Sequence, residues 1–164
     1  MTDAGLVHLK GLTSLQSLDL SDTQVTDAGL VHLKGLTSLQ ALGLSPQMTD
    51  AGLVHLKGLT SLQSLNLTDT KVSDTGLLHL KGMTSLQSLE LSRTNVTDAG
   101  LEHLTGLTSL QSLFLSNTKV TDAGLVHLKG MTSLTWLNLE GTEVTDDGVE
   151  DLQAALPNCG IESW

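Results

Sequence analysis

The chain has 164 residues and a formal net charge of −10, from 18 acidic against 8 basic side chains. Nucleic acid and anionic membrane surfaces both select basic patches, so this balance excludes them as partners. One cysteine, Cys159, excludes an internal disulfide framework and a cysteine-based zinc site. Leucine supplies 37 residues, while Phe114, Trp136 and Trp164 are the only aromatics, so the core must be aliphatic. No stretch nears the ~20 apolar residues of a membrane span, so membrane insertion is not expected. No basic segment followed by an apolar run opens the chain, which makes a cytoplasmic location the default expectation.

The chain opens with a half unit (residues 1–10) and then repeats itself. Gly-Leu-Thr-Ser-Leu-Gln-Ser-Leu begins at Gly11, and near copies begin at Gly35, Gly58, Gly82, Gly106 and Gly130. Six repeats therefore fill residues 11–146, and a divergent cap follows over 147–164. One domain of 1–164 is expected, with no linker. Within a unit, Leu18 and Leu20 alternate at strand period. Leu30, Leu33 and Leu36 then recur three apart, giving a short helix with one apolar face. Thr26 or Asp27 is placed to cap that helix, and Gly35 to end it in a left-handed conformation. In the tail, Val149 to Leu156 predicts a longer helix stopped by Pro157. Cys159 and Ile161 then supply a last partial strand, with Trp164 covering the end.

The pattern Leu15-x-x-Leu18-x-Leu20-x-x-Thr23-x-Val25 resembles the leucine-rich repeat, whose ninth position is usually Asn or Cys. The Val25-Thr26-Asp27-x-Gly29-Leu30 continuation is similar to the cysteine-containing and ribonuclease-inhibitor-like subclasses, and to bacterial members with 24-residue units. The resemblance implies an α/β solenoid, a horseshoe with a parallel concave sheet and short convex helices. Two departures matter. Thr23, Thr70, Thr94, Thr118 and Thr142 replace Asn or Cys, so the buried hydrogen-bond ladder is expected to run through hydroxyls. The second unit lacks one residue at Ser45-Pro46-Gln47-Met48, so an interrupted ladder and a kink are expected there. That shortened unit and the idiosyncratic tail favour a natural origin over a consensus-designed one.

A residue present in every unit is explained by the repeat, so a functional site must break the symmetry. His8, His32, His55, His79, His103 and His127 share one position on the helices. Neighbouring helices lie about 8–10 Å apart, too far for adjacent imidazoles to share a metal at ~2 Å bonds. Seven aspartates from Asp3 to Asp146 share another position, explained by helix starts rather than calcium. No phosphate loop, zinc-protease motif or nucleophile constellation is present. No catalytic residue, cofactor or metal is expected, and Cys159 stands where the repeat places a core leucine.

The varied positions flank the inward strand leucines and so face solvent. Phe114 and Trp136 fall on neighbouring strands, two positions out of line, on a surface otherwise made of Ser, Asn and Asp. Glu90, Arg93, Asn117 and Asn138 surround them, and Trp and Arg are enriched at interface hot spots. Two readings stay open, a binding site or drift on a tolerant surface with Trp136 shielded by the cap. The function expected is a non-enzymatic module binding a protein or peptide on its concave face. The alternatives are a self-associating or truncated scaffold without a concave ligand, and a carbohydrate-binding surface. Met1 begins in mid-repeat, so Leu6, Leu9, Leu15, Leu18 and Leu20 lack a preceding unit. A homodimer through that N-terminal end is expected.

Overall fold

The computed structural model describes all 164 residues. Each unit contributes one three-residue strand: β1 Ser17–Asp19, β2 Ala41–Gly43, β3 Ser64–Asn66, β4 Ser88–Glu90, β5 Ser112–Phe114, β6 Trp136–Asn138 and β7 Gly160–Glu162. They form one parallel sheet in chain order, β1 to β7, with no crossover. The register is constant, so Leu18, Leu42, Leu65, Leu89, Leu113, Leu137 and Ile161 lie side by side. The central leucines of β2 to β6 point into a single core of 40 buried residues that runs from Leu6 to Cys159, and Leu18 of β1 and Ile161 of β7 pack against it half-buried.

Helical segments return the chain on the opposite side: α1 Asp3–Leu6, a 3-10 helix over Asp27–Leu33, α2 Asp50–Leu53, α3 Asp74–Leu77, α4 Asp98–Glu102, α5 Asp122–Leu125 and α6 Asp146–Ala155. After α1, α2 and α3 the last turn tightens to 3-10, and in the second helical segment the whole run does. The leucine spacing explains this. Side chains three apart eclipse one another at three residues per turn, so Leu30, Leu33 and Leu36 all face the core, each fully buried. Only α6 is a full helix, and it carries the cap, with β7 pairing beside β6.

Two local expectations need correction. Gly35 and its equivalents do not end the helices in a left-handed conformation; the left-handed residues are Asp69, Arg93, Asn117 and Gly141, in the turns after the strands. The threonine hydroxyls do not form a ladder between units. Each instead donates to the carbonyl of the leucine that follows its own strand, as Thr70 does to Leu67 and Thr94 to Leu91 at 2.6 Å. The rungs between units are backbone bonds made by the left-handed residues: Asp69 N–H donates to the Ser92 carbonyl, Arg93 to Ser116 and Asn117 to Glu140. These rungs are missing around the shortened unit, since Pro46 has no N–H and the turn is one residue short. The sheet is not interrupted there, because β2 stays paired in register with both neighbours. Ser45 takes the buried turn position, and its hydroxyl donates across the gap to the Val25 carbonyl.

The aspartate row also works differently from a helix cap of its own unit. Asp3 accepts the N–H and hydroxyl of Thr26 in the following unit, both at 2.7 Å. The same two-pronged bond joins Asp27 to Thr49, Asp50 to Ser73, Asp74 to Thr97, Asp98 to Thr121 and Asp122 to Thr145. Each carboxylate lies over the next unit's helical glycine, where a Cβ would strike it. That is the steric reason for Gly29, Gly52, Gly76, Gly100, Gly124 and Gly148. The aspartates are staples between units.

Candidate functional site

Alternation along the strands sends the central leucine inward and its two neighbours onto the solvent face of the sheet. Two rows result, one residue per strand. The first row is Ser17, Ala41, Ser64, Ser88, Ser112, Trp136 and Gly160; the second is Asp19, Gly43, Asn66, Glu90, Phe114, Asn138 and Glu162. Phe114 and Trp136 are on adjacent strands, with Trp136 opposite Ser112 and Phe114 opposite Asn138. Trp136 is 41% exposed and Phe114 is half-buried. The indole leans away from Phe114. Its six-membered ring lies over Gly160 of β7, so close that a Cβ there would stand 2.9 Å from it. The aromatic surface is therefore spread over three strands, with a glycine floor under the tryptophan.

The polar residues around it divide by position. Glu90 and Asn138 lie on the sheet. The Asn138 amide donates to Glu162 at 2.8 Å and its oxygen accepts from the Glu140 N–H, so both ends are engaged within the chain. Arg93 and Asn117 stand off the sheet, in the left-handed turns along its rim. The Arg93 guanidinium grips Asp69 of the preceding unit through Nε and a terminal nitrogen, at 2.5 and 2.7 Å. That pairing holds the Asp69 carboxyl below the usual carboxylate range and raises the guanidinium.

At the other end of the sheet, sequence reasoning missed a feature made by absent side chains. Ala41 and Gly43 are the smallest pair on the face, and over them lies a hollow of about 180 Å³ lined by Ser17, Leu18, Asp19, Leu42, Ser64 and Asn66. The signal was present in the two rows, as the one unit with neither an aromatic, a charge nor an amide.

The N-terminal leucines behave unequally. Leu6 and Leu20 are fully buried within the chain, so they are not part of any exposed end surface. Leu9, Leu15 and Leu18 are half-buried, and Leu12 is 47% exposed where its equivalents Leu36 and Leu59 are at 0%. Met1 takes the place that Met48 and Val72 hold further along, its carbonyl accepting from the Gln24 N–H as theirs do from Lys71 and Asn95. At the C-terminal end, Trp164 does not cover the last repeat. It is 81% exposed and borders a groove of about 440 Å³ along α6, with Val149, Gln153 and Ala154. The covering is done by α6 itself, through Leu152 and Leu156, and by Cys159, which are buried. Burial also raises the Cys159 thiol above its ordinary range, away from the reactive thiolate.

The six imidazoles lie on the helical side, half-buried except for the exposed His8. No group of three or more His, Cys, Asp or Glu side chains is placed to hold a metal ion. No helix is long and apolar enough to cross a membrane.

Two family models described as leucine rich repeat match the chain, one over residues 84–144 and the other over 11–34 and 58–80. No curated protein matches it by sequence. Among solved structures it is similar to an internalin C2 from Listeria monocytogenes str. 4b F2365, at 32% identity and a TM-score of 0.78, over 98% of this chain and 65% of that one. It is also similar to an internalin (inlF) from the same strain, at 25% identity and a TM-score of 0.75, over 95% of this chain and 49% of that one. The chain thus spans about two thirds and about half of these two proteins. One strand per repeat in an open parallel sheet, a leucine core and these matches make the chain a leucine-rich repeat protein.

Proposed function

We propose that the chain is a non-enzymatic binding module that holds a protein or peptide on its concave sheet, with Phe114 and Trp136 as anchors. Leucine-rich repeat solenoids serve protein interaction through extended, rigid surfaces. One observation carries the choice of face: the single phenylalanine and a 41%-exposed tryptophan project from a sheet surface whose other side chains are small or polar. Burying the exposed parts of both rings would supply a few kcal/mol, at ~25 cal/mol per Å² of apolar surface. Glu90, Arg93, Asn117 and Asn138 form the polar rim of this proposal. The two internally paired residues, Arg93 and Asn138, supply shape more than new bonds. The Val-Thr-Asp-x-Gly-Leu continuation supports a place near the cysteine-containing and ribonuclease-inhibitor-like subclasses.

The test is capture of binding proteins by the immobilised chain, compared with a Phe114→Ser/Trp136→Ser double variant. Loss of a verified partner with an unchanged melting temperature supports the site. Unchanged affinity for that partner removes it.

Self-association is a second reading, favoured by the exposure of Leu12 and the half-burial of Leu9, Leu15 and Leu18 beside the unpaired edge of β1.

A further inference from the structure

The seven strands contain no lysine or arginine, and the charged residues on their solvent face are Asp19, Glu90 and Glu162. The chain's one arginine is off the sheet and already paired with Asp69. On the strands themselves, the charge presented to solvent is therefore all negative. At the hollow over Ala41 and Gly43 that charge is aimed inward. The Asp19 carboxylate leans across from β1 until its Oδ1 is 2.6 Å from where a Cβ on Gly43 would stand. Ser21 occupies that same oxygen with its N–H at 2.9 Å and its hydroxyl at 2.6 Å, leaving Oδ2 without a partner in the chain. These two bonds also keep the carboxyl below its usual range, so it is ionised at neutral pH. Asn66, across the hollow, spends its oxygen on the Thr68 N–H. Ser17 and Ser64 border the floor.

We propose that this hollow is a socket for a cationic side chain of the protein or peptide bound on the concave face. The proposal rests on the concave reading above and specifies the partner's chemistry. Gly43 and Phe114 lie in the same row, three strands apart, which is about 14 Å at ~4.8 Å per strand. An extended segment lying across the strands advances ~3.3 Å per residue. It would place a lysine or arginine in the hollow and an apolar side chain on Phe114 about four residues away. Glu90, in the same row between the two, adds attraction for the basic part of the segment.

The test is an NMR titration of the isotope-labelled chain with capped Ser/Ala peptides that carry one arginine and one leucine. The two are set about four residues apart, or about ten apart as a spacing control, with norleucine replacing arginine in a third peptide. The expected result is joint shifts of the Asp19, Gly43, Asn66 and Phe114 amides with the short-spaced arginine peptide. Binding should weaken about tenfold or more with norleucine and in Asp19→Asn, as for the loss of one charge-assisted hydrogen bond. Ala41→Trp, whose side chain stands on the solvent face between Ser17 and Ser64, should fill the hollow and block binding, with an otherwise unchanged amide spectrum showing that the chain is folded. Equal binding of the arginine and norleucine peptides overturns the socket, as does binding that survives Ala41→Trp. Shifts confined to Phe114 and Trp136 overturn the socket and leave the concave site standing. Absence of any strand shift with all three peptides overturns both.

Discussion

At the scale of single residues, the aspartate staples are the most informative contacts. Asp98 accepts from the Thr121 N–H and hydroxyl at 2.8 Å each, and it sits over Gly124. Asp98→Ala removes both bonds and leaves an N–H unpaired, a loss of about 1–3 kcal/mol. Gly124→Ala drives a methyl group into the same carboxylate. The two changes share one space, so they should not add: Gly124→Ala should cost clearly less in the Asp98→Ala background than alone. Urea denaturation of the four chains of this cycle measures the coupling. Additive losses would mean that the methyl group is opposed by the Asp98 backbone, whose Cα lies 3.0 Å from it, and not by the carboxylate. The acid response has a defined sign. Bonds from Thr145 lower the Asp122 carboxyl below its ordinary 3.8. Its contribution to stability is fully present above that ordinary value and fades as pH falls through the lower folded one. Urea midpoints measured from about pH 5 down to pH 2 should therefore fall, and fall less steeply in Asp122→Asn. The group is largely exposed, so its own share is small.

At the scale of one element, a three-residue strand and a single helical turn have little stability of their own. They persist because the leucines of the inner units are covered from both sides along the stack. Leu65 in β3 is fully buried between β2 and β4, whereas its equivalent Leu18 in β1 is covered from one side and half-buried. Leu65→Ala should cost about 3 kcal/mol, in the range of buried leucine truncations. Leu18→Ala should cost less than half as much, and thermal unfolding of both variants decides it. Similar losses would mean that β1 is covered in solution by something outside the chain's own fold. The turns differ in the same way. Asp69, Asn117 and Gly141 are types that tolerate the left-handed region, and Arg93 is not. Its rung to Ser116 and its grip on Asp69 offset that strain.

At the scale of the molecule, the solenoid has two unlike ends. The C-terminal end is closed by α6 and β7, with Leu152, Leu156 and Cys159 buried beneath them. The N-terminal end leaves one edge of β1 unpaired, beside the exposed Leu12 and Met1. An unpaired strand edge is a template for another strand, and a two-fold pairing of β1 with β1 of a second copy closes at a dimer. Sedimentation of the 164-residue chain at micromolar concentration should show a dimer, and Leu12→Glu should return it to 17.3 kDa. A monomer before that substitution ends the idea. Leu6 and Leu20, being buried, should report on folding and not on association.

The parallel solenoid was what the resemblance of the repeat implied, while the strand positions and the inward leucines were legible in the spacing itself, because a repeat states the same local problem six times. Each unit can bury its apolar face only against the next, so the spacing of the leucines marks which residues turn inward. The symmetry-breaking positions of Phe114 and Trp136 were legible for the same reason. What only the tertiary structure decided depends on which neighbour a side chain turns toward, and spacing carries no such direction. Asp27 is placed equally well to cap its own helix or to staple the next, and geometry across the stack selects the second. Thr70 is placed to bond along the stack or back to Leu67, and it turns back. Trp136 flanks both Ser112 and Gly160, and the ring settles over the glycine because no Cβ opposes it there. The hollow over Ala41 and Gly43 is made by what adjacent strands leave empty. A volume between three strands is a property of their packing, and no single repeat contains it.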